Sequence, residues 1–366
     1  MVGCQTQRKQ INIRHLERGG RMRHWIIALG IIIVTGAFLP VYGAARTAPQ
    51  TPGTIIPQPD ADMQVLRAIL WQQDDRIDLA KAEITLDHLI DPSVDQAAEL
   101  KAVDHWADRV RNRIPAGATT WAKVMAIYTT IYVPGPWNDG KKFDYNFDDP
   151  FGKDVHTTML SNYLATRRGN CVSMPIFFAI LAQRIGLQVT LATAPNHLLV
   201  KVKLDDGQWK NIEATSGSTL TDQEYMQRFQ ITQTAVENGL YLRPLSMREA
   251  VVAMATPFLE DYAKRRTPEQ IMAMADLALS YDPKDVGALM MKALAYDKQV
   301  TIQYRSKYPD PRQLSPAQQA DYRALMDGYF KIADQLQAMG WHRRSAKQDA
   351  EYMQAIQKAK TAENGG

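Results

Sequence analysis

Three residues in the middle of the chain could together support nucleophilic catalysis: Cys171, His197 and Glu213. The histidine follows the cysteine by 26 residues, and the glutamate follows the histidine by 16. A thiol becomes a good nucleophile when a neighbouring base holds it as a thiolate. That base needs an acceptor that fixes its tautomer and stabilises the imidazolium. The three residues therefore suggest a nucleophile, a base and an orienting acid.

The segments around these residues indicate how they could meet. Cys171 precedes a long apolar segment in which Pro175 is tolerated only in a first helical turn, so we expect the cysteine at or near a helix N-terminus. The helix dipole stabilises a thiolate there. His197 begins a predicted strand, and Glu213 lies on the return strand after the turn signal at 205–207. The hairpin would make these two strands adjacent and antiparallel.

Other side chains could support this site. Trp209, Asn211 and Glu213 follow one another at two-residue steps, so their side chains share one face of the predicted strand. Asn211 is thus a competing orienting group, and Trp209 could shield the pair or belong to the core. An oxyanion hole would use the backbone N–H of Cys171 and one further donor, for which Asn170 is a candidate.

The aromatic and polar loop at 133–155 is another source of that donor, with the candidates Trp137, Tyr145 and Asn146. The spacing of the nearby histidines fits no metal-ligand motif, so we expect no metal site and no organic cofactor. These histidines are His88, His105 and His156.

Three segments resemble the transglutaminase-like superfamily. They are Gly169-Asn170-Cys171-Val172-Ser173, His197 before a strand, and Trp209-x-x-x-Glu213-x-Thr215. The resemblance implies a papain-type α+β core that uses Cys, His and Asp in that order. It would make Cys171 the nucleophile, His197 the base and Glu213 the orienting acid, with Glu in place of the usual Asp.

The resemblance extends over roughly residues 70–300. The segments RIDLAKAEITLDHL and FDYNFDDPFG resemble the bacterial branch of the superfamily, which is joined to tetratricopeptide-like helices.

The fold class that we predict is α+β, with a cysteine-bearing helix packed on an antiparallel sheet and helical flanks on both sides. Apolar residues at three- and four-residue steps predict the flanking helices. The expected parts are a signal peptide or N-terminal anchor at 1–45, a linker at 46–60, an N-terminal helical region at 61–132, a transglutaminase-like domain at 133–245 and a C-terminal, tetratricopeptide-like helical region at 246–366.

Charge and composition restrict the classes of protein. The 366 residues carry 43 Lys and Arg against 39 Asp and Glu, a net charge of +4 that is too small to indicate nucleic-acid binding. Basic residues cluster before an apolar run at 25–39, and small residues follow, which is typical of a signal peptide that starts at Met1 or Met22. Removing 1–45 would change the net charge to −1 and would leave Cys171 as the single cysteine.

The combined pattern predicts an exported, periplasmic or secreted thiol enzyme that acts on an amide or peptide bond, as a hydrolase or a transglutaminase-like acyltransferase. Its substrate would be a peptide or protein, for example of the cell envelope. The alternative is an inactive envelope binding or scaffold protein that uses the same fold and its helical flanks for protein–protein contacts.

Overall fold

The computed structural model describes residues 60–364. The predicted leader at 1–45 lies outside these residues, as does all of the predicted linker except Asp60. Within 60–364, no helix combines the length and the apolar character needed to cross a bilayer.

The N-terminal region is helical, as the apolar spacing predicts. Each helix begins after a residue whose side-chain oxygen accepts hydrogen bonds from the free N–H groups of the first turn, namely Asp60, Asp78, Asp95 and Thr119. The helices are α1 (Ala61–Leu70), α2 (Leu79–Ile90), α3 (Gln96–Arg111) and α4 (Thr120–Tyr132).

A short parallel strand pair lies next in the chain. Strand β1 (Asp144–Tyr145) pairs with β2 (Arg168–Gly169), so that Tyr145 lies opposite Gly169. The connection between them includes helix α5 (Leu160–Thr166). This pair matters for the site because β2 ends two residues before Cys171.

The central helix and sheet follow. The buried helix α6 (Ser173–Arg184) precedes three antiparallel strands in the order β3-β4-β5. Val200 and Ile212 lie opposite each other and pack in the same core cluster as α6, whereas Leu199 points to the other face. The strands are β3 (Val189–Ala194), β4 (His197–Lys203) and β5 (Trp209–Ile212).

The second face of the sheet is covered by two short helices, α7 (Asp222–Phe229) and α8 (Gln233–Glu237). Tyr225 of α7 and Ala235 of α8 pack with Leu199 in a separate apolar cluster. The sheet therefore has an α6 face and an α7 face, and His197 and Leu199, two residues apart on β4, belong to the α7 face.

Helices account for most of the remaining chain. Helices α11 and α12 pack against each other, and α12 also packs against α13. The α+β class with helical flanks is confirmed, whereas the tetratricopeptide-like character of this region stays a prediction. The helices are α9 (Met247–Met254), α10 (Thr256–Arg265), α11 (Pro268–Leu279), α12 (Val286–Val300), α13 (Pro316–Ala338) and α14 (Ala346–Asn364).

Candidate active site

Cys171 lies in a tight turn between β2 and α6. The Asn170 side chain accepts hydrogen bonds from the backbone N–H groups of Val172 (3.0 Å) and Ser173 (3.3 Å), and the Ser173 hydroxyl accepts one from the Asn170 N–H (3.2 Å). This reciprocal arrangement is that of a capping box, with serine as the returning residue. It holds the thiol two residues before the helix starts.

The glycine before this turn is required by close packing. A Cβ atom at Gly169 would lie 2.6 Å from the Tyr163 ring and 2.8 Å from the Ser173 hydroxyl. The Gly169-Asn170-Cys171 segment therefore combines a position without a side chain, a capping residue and the thiol.

The cysteine turn is joined directly to the start of β4. The Cys171 Sγ donates to the carbonyl oxygen of Asn196 (3.6 Å), and the Cys171 carbonyl accepts from the Leu198 N–H (3.3 Å). Asn196 has a positive φ of 55°, a conformation that asparagine tolerates better than most residues. It belongs to the two-residue turn between β3 and β4, and the next residue is His197.

His197 and Glu213 form a buried pair. The His197 Nε2 is 2.8 Å from the Glu213 Oε2, and the two side chains are 6% and 0% exposed. The other side of the imidazole stacks on Phe229 of α7, with ring centroids 4.8 Å apart. Because Nε2 is hydrogen-bonded to the carboxylate, Nδ1 is the ring nitrogen that can exchange a proton with Cys171.

The register of the hairpin explains why Glu213 reaches the histidine. Val200 lies opposite Ile212, so Glu213 follows at the level of Leu199, two residues from His197. Such diagonal neighbours are about 7–8 Å apart, a distance that a long side chain can cover. Glu213 itself has left the ladder and forms a bridge with Ser218.

The Glu213 carboxylate is fully hydrogen-bonded. Its Oε2 also accepts from the Tyr225 hydroxyl (2.9 Å), and its Oε1 accepts from the Thr215 N–H (3.1 Å) and hydroxyl (2.5 Å). Burial alone would raise the pKa of Glu213, but the charge of His197 and the hydrogen bonds from His197 and Thr215 lower it to about 2. The group is therefore ionised at neutral pH.

The pKa of His197 shifts in the opposite direction. Burial would lower it, but the charge of Glu213 and the side-chain interactions with Cys171 and Glu213 raise it to about 9. At neutral pH the two groups thus form an imidazolium–carboxylate pair beside a thiol. This arrangement can stabilise a thiolate and can deliver a proton to a leaving group.

Asn211 does not orient the histidine. It lies opposite Lys201, four residues and therefore about 13 Å along β4 from His197. Its Nδ2 donates instead to the Leu220 carbonyl (3.0 Å) and the Asp222 carboxylate (2.7 Å). The shared strand face is correct, but the distance along the strand excludes Asn211 from the pair.

Trp209 does not shield the pair either. It lies opposite Lys203 at the far end of the hairpin, about 20 Å along β4 from His197. The face of the histidine is covered by Phe229 of α7 instead.

The candidates for a second oxyanion donor are mostly engaged elsewhere. The Asn170 amide nitrogen donates to the Thr157 carbonyl (3.1 Å), and the Trp137 indole donates to the carbonyls of Thr129 and Val133. The Asn146 side chain accepts from the Asp148 N–H. Asn170 thus builds the cysteine turn. Tyr145 and Asn146 both lie beside that turn, where the Tyr145 hydroxyl donates to the Pro150 carbonyl (3.3 Å) and the Asn146 N–H donates to the Gly169 carbonyl (2.6 Å).

The three histidines considered above as metal ligands have different partners. His88 bonds to the Val94 carbonyl, His105 accepts from Arg109, and His156 pairs with Asp154. In the part of the chain that the structure describes, no three His, Cys, Asp or Glu side chains are grouped as metal ligands.

Sequence reasoning did not identify two supporting residues, Tyr225 and Phe229. Both lie on α7, one helical turn apart, and so present their rings on the same side. A Thr221-x-x-Glu224 capping box begins this helix and could have revealed it. What the pattern could not show is that α7 covers the histidine.

One family model matches the part of the chain that carries this site. Residues 97–256 match the family model described as the transglutaminase-like superfamily. No curated protein matches the chain. Among solved structures, the crystal structure of menin that reveals the binding site for the mixed lineage leukemia (MLL) protein matches with a TM-score of 0.40 and 16% identity, over 82% of this chain and 75% of menin.

The matched residues include Cys171, His197, Glu213 and the helix that supports them. Over residues 97–256, the chain is thus similar to the transglutaminase-like superfamily.

Proposed function

We propose that the protein is a thiol enzyme that transfers or hydrolyses the acyl group of an amide. The observation that carries this proposal is the buried His197–Glu213 pair of 2.8 Å beside the Cys171 turn. Burying two opposite charges is costly unless further hydrogen bonds satisfy them, and here Tyr225 and Thr215 supply those bonds. A purely structural site would have little need of this pair next to a thiol.

The first half of the reaction would form a thioester. The Cys171 sulfur attacks the amide carbonyl carbon, and the negative charge moves to the carbonyl oxygen, where the Cys171 N–H is placed to donate a hydrogen bond. His197 then gives its proton to the amine nitrogen as the C–N bond breaks. The amine leaves, and the acyl group stays on Cys171.

The second half would release the acyl group. Water or a second amine attacks the thioester carbonyl and gives a proton to His197, and the C–S bond breaks to regenerate the thiolate. Glu213 stays ionised throughout and stabilises the imidazolium. Water as the acceptor gives a peptidase or amidase, and an amine gives a transglutaminase. Product masses from a peptide substrate incubated with and without an added primary amine would distinguish these two reactions.

The reactivity of the thiol tests the proposal before any substrate is known. In a Cys4→Ser background, iodoacetamide reports only on Cys171. We expect His197→Gln to slow this alkylation at pH 7 by roughly ten-fold or more, because the imidazolium that holds the thiolate is lost. The matched control is His156→Gln, which removes an exposed histidine paired with Asp154.

A slow alkylation that His197→Gln leaves unchanged would contradict the enzyme proposal. It would favour the alternative of a binding or scaffold protein that keeps the fold without the chemistry.

We also propose that the enzyme works outside the cytoplasm, on peptides or proteins of the cell envelope. The support is the basic, apolar and small-residue order of 1–45. Fusion of these residues to a reporter that is active only after export, followed by N-terminal sequencing of the product, tests both export and cleavage. A reporter that stays inactive would contradict this proposal and would leave the chemistry untouched.

A further inference from the structure

The C-terminal helix α14 contacts two segments that flank the candidate active site. Its first turns contact α7, where Gln348 hydrogen-bonds to Gln230, the residue that follows Phe229. Its last turns contact the loop after β1, where the Lys360 Nζ lies 2.8 Å from an Asp148 oxygen. One end of the helix thus contacts the end of α7, which covers His197, and the other end contacts the loop after β1.

Tyr352, in the middle of α14, reaches the cysteine side. Its hydroxyl lies 3.3 Å from the Tyr145 hydroxyl and donates to the Pro150 carbonyl (3.4 Å), and its ring packs on Phe151 with centroids 5.4 Å apart. Tyr145 lies opposite Gly169, two residues before Cys171. Burial raises the pKa of Tyr352, and proximity to Cys171 contributes in the same direction.

The contacts that hold α14 are weak ones. The Lys360 and Asp148 side chains are 38% and 71% exposed, and exposed ion pairs contribute little to stability. Ile356 is only partly buried against the main core, and Met353 points to solvent. A helix that is held by a few polar contacts opens at much lower cost than the core beneath it.

We propose that α14 is a self-inhibitory cover, which must leave the cleft before a polypeptide can reach Cys171. The nature of the substrate rests on the proposed function, but the cover itself does not. Small molecules would reach the thiol beside the helix, whereas a polypeptide segment would need the space that Tyr352 occupies between Phe151 and the Cys171 turn. Breaking the contacts at either end would increase the fraction of open molecules.

Two alkylating reagents of different size test this in the full chain. In the Cys4→Ser background, we would measure the rate with a poly(ethylene glycol) maleimide and divide it by the rate with a small N-alkyl maleimide. We expect Lys360→Glu to raise this ratio roughly five-fold, because two acids then repel each other where an ion pair held the helix. Tyr352→Ala should raise it as well.

The charge-reversed pair provides the sharpest control. Adding Asp148→Lys to Lys360→Glu restores an ion pair and should return the ratio to that of the parent protein. Lys358→Glu makes the same charge change at an exposed position of α14 and should leave the ratio unchanged. Amide hydrogen exchange should show faster exchange in α14 of the Lys360→Glu variant, with α13 unaffected.

An unchanged ratio in both Lys360→Glu and Tyr352→Ala would overturn the cover, as would an equal rise in Lys358→Glu. The two proposals fail in different ways. Failure of the enzyme proposal shows as a slow small-reagent rate that does not respond to His197→Gln, whereas failure of the cover shows only in the ratio of the two rates.

Discussion

Two pairs of buried ionisable groups in the described part of the chain have opposite electrostatics. His197 and Glu213 are an acid and a base in contact, and the shifts in their pKa values keep both charged at neutral pH. Glu83 and Asp87 are two acids one turn apart on α2, 3% and 1% exposed. Burial raises the pKa of each, and that of Asp87 rises to about 7.

The difference comes from the partners. Glu213 receives hydrogen bonds from His197, Tyr225 and Thr215. Asp87 accepts from the Ser161 N–H (2.8 Å), and the Glu83 Oε2 is buried with no partner among the described residues. Burial therefore raises the pKa of a carboxyl group unless a cation and several donors surround it.

Removing the Glu213 charge should have the largest effect. We expect Glu213→Gln to lower the free energy of unfolding at pH 7 by about 3 kcal/mol or more, because it removes the charge that stabilises the His197 imidazolium and so forces the buried histidine to lose its proton. Urea denaturation measures this loss. NMR titration should show the pKa of His197 falling from about 9 to below its usual value, since burial then dominates.

The pH dependence provides the control for that prediction. The His197 contribution is fully present below pH 6.5 and disappears as the pH rises through about 9, and the Glu213 contribution disappears as the pH falls through about 2. The difference in free energy of unfolding between the parent and Glu213→Gln should therefore decrease at high pH. A difference that stays constant from pH 6 to 10 would contradict the prediction that His197 and Glu213 are both charged.

The buried acid Asp87 should respond to pH with the sign opposite to that of Glu213. The native state binds a proton at Asp87 up to about pH 7, whereas the unfolded chain releases it near 4, so the free energy of unfolding falls between these values. Asp87→Asn removes this loss. Between pH 4 and pH 7, we therefore expect its free energy of unfolding to rise by about 3 kcal/mol relative to that of the parent. Thermal and urea unfolding at both pH values measure the difference.

Asp327→Asn serves as the reference, because Asp327 is exposed on α13. The change in its free energy of unfolding between the two pH values should equal that of the parent. An Asp87→Asn variant that also follows the parent would mean that Asp87 is ionised in the folded protein.

Loss of a single donor to the charged pair should cost less. Tyr225→Phe removes a hydrogen bond to an ionised carboxylate, and we expect a decrease of about 2 kcal/mol in the free energy of unfolding at pH 7. Tyr132→Phe is the matched variant, since that hydroxyl donates to the neutral carbonyl of Ala214 and should cost about 1 kcal/mol. Equal losses in the two variants would count against a charged Glu213.

The exposed pair between Lys360 and Asp148 should contribute least. A double-mutant cycle with Lys360→Met and Asp148→Asn should give a coupling energy below about 1 kcal/mol, because water and salt screen exposed charges. A coupling as large as that expected for the buried pair would show that α14 is fixed more firmly than its exposure indicates.

Local patterns explain why part of the site could be predicted. Pro175 near a helix start and the turn at 205–207 are signals within a few residues of their effect. The order of Cys171, His197 and Glu213 was recognised through the family resemblance. The resemblance to the transglutaminase-like superfamily was confirmed over 97–256. Side-chain alternation also placed Asn211 on the strand face that it shares with Glu213. It did not reveal the distance along the strand between Asn211 and His197.

The sequence by itself determined the α+β order and the strand hairpin, because both depend on short-range backbone preferences. The choice of Cys171, His197 and Glu213 as candidates rested on their chemistry and on the family resemblance. Only the tertiary structure selected Glu213 over Asn211, placed Phe229 on the imidazole and laid Tyr352 beside the cysteine turn. Tyr352 and Cys171 are 181 residues apart in the chain. Contacts of that separation depend on how whole elements pack, and no local pattern encodes this packing.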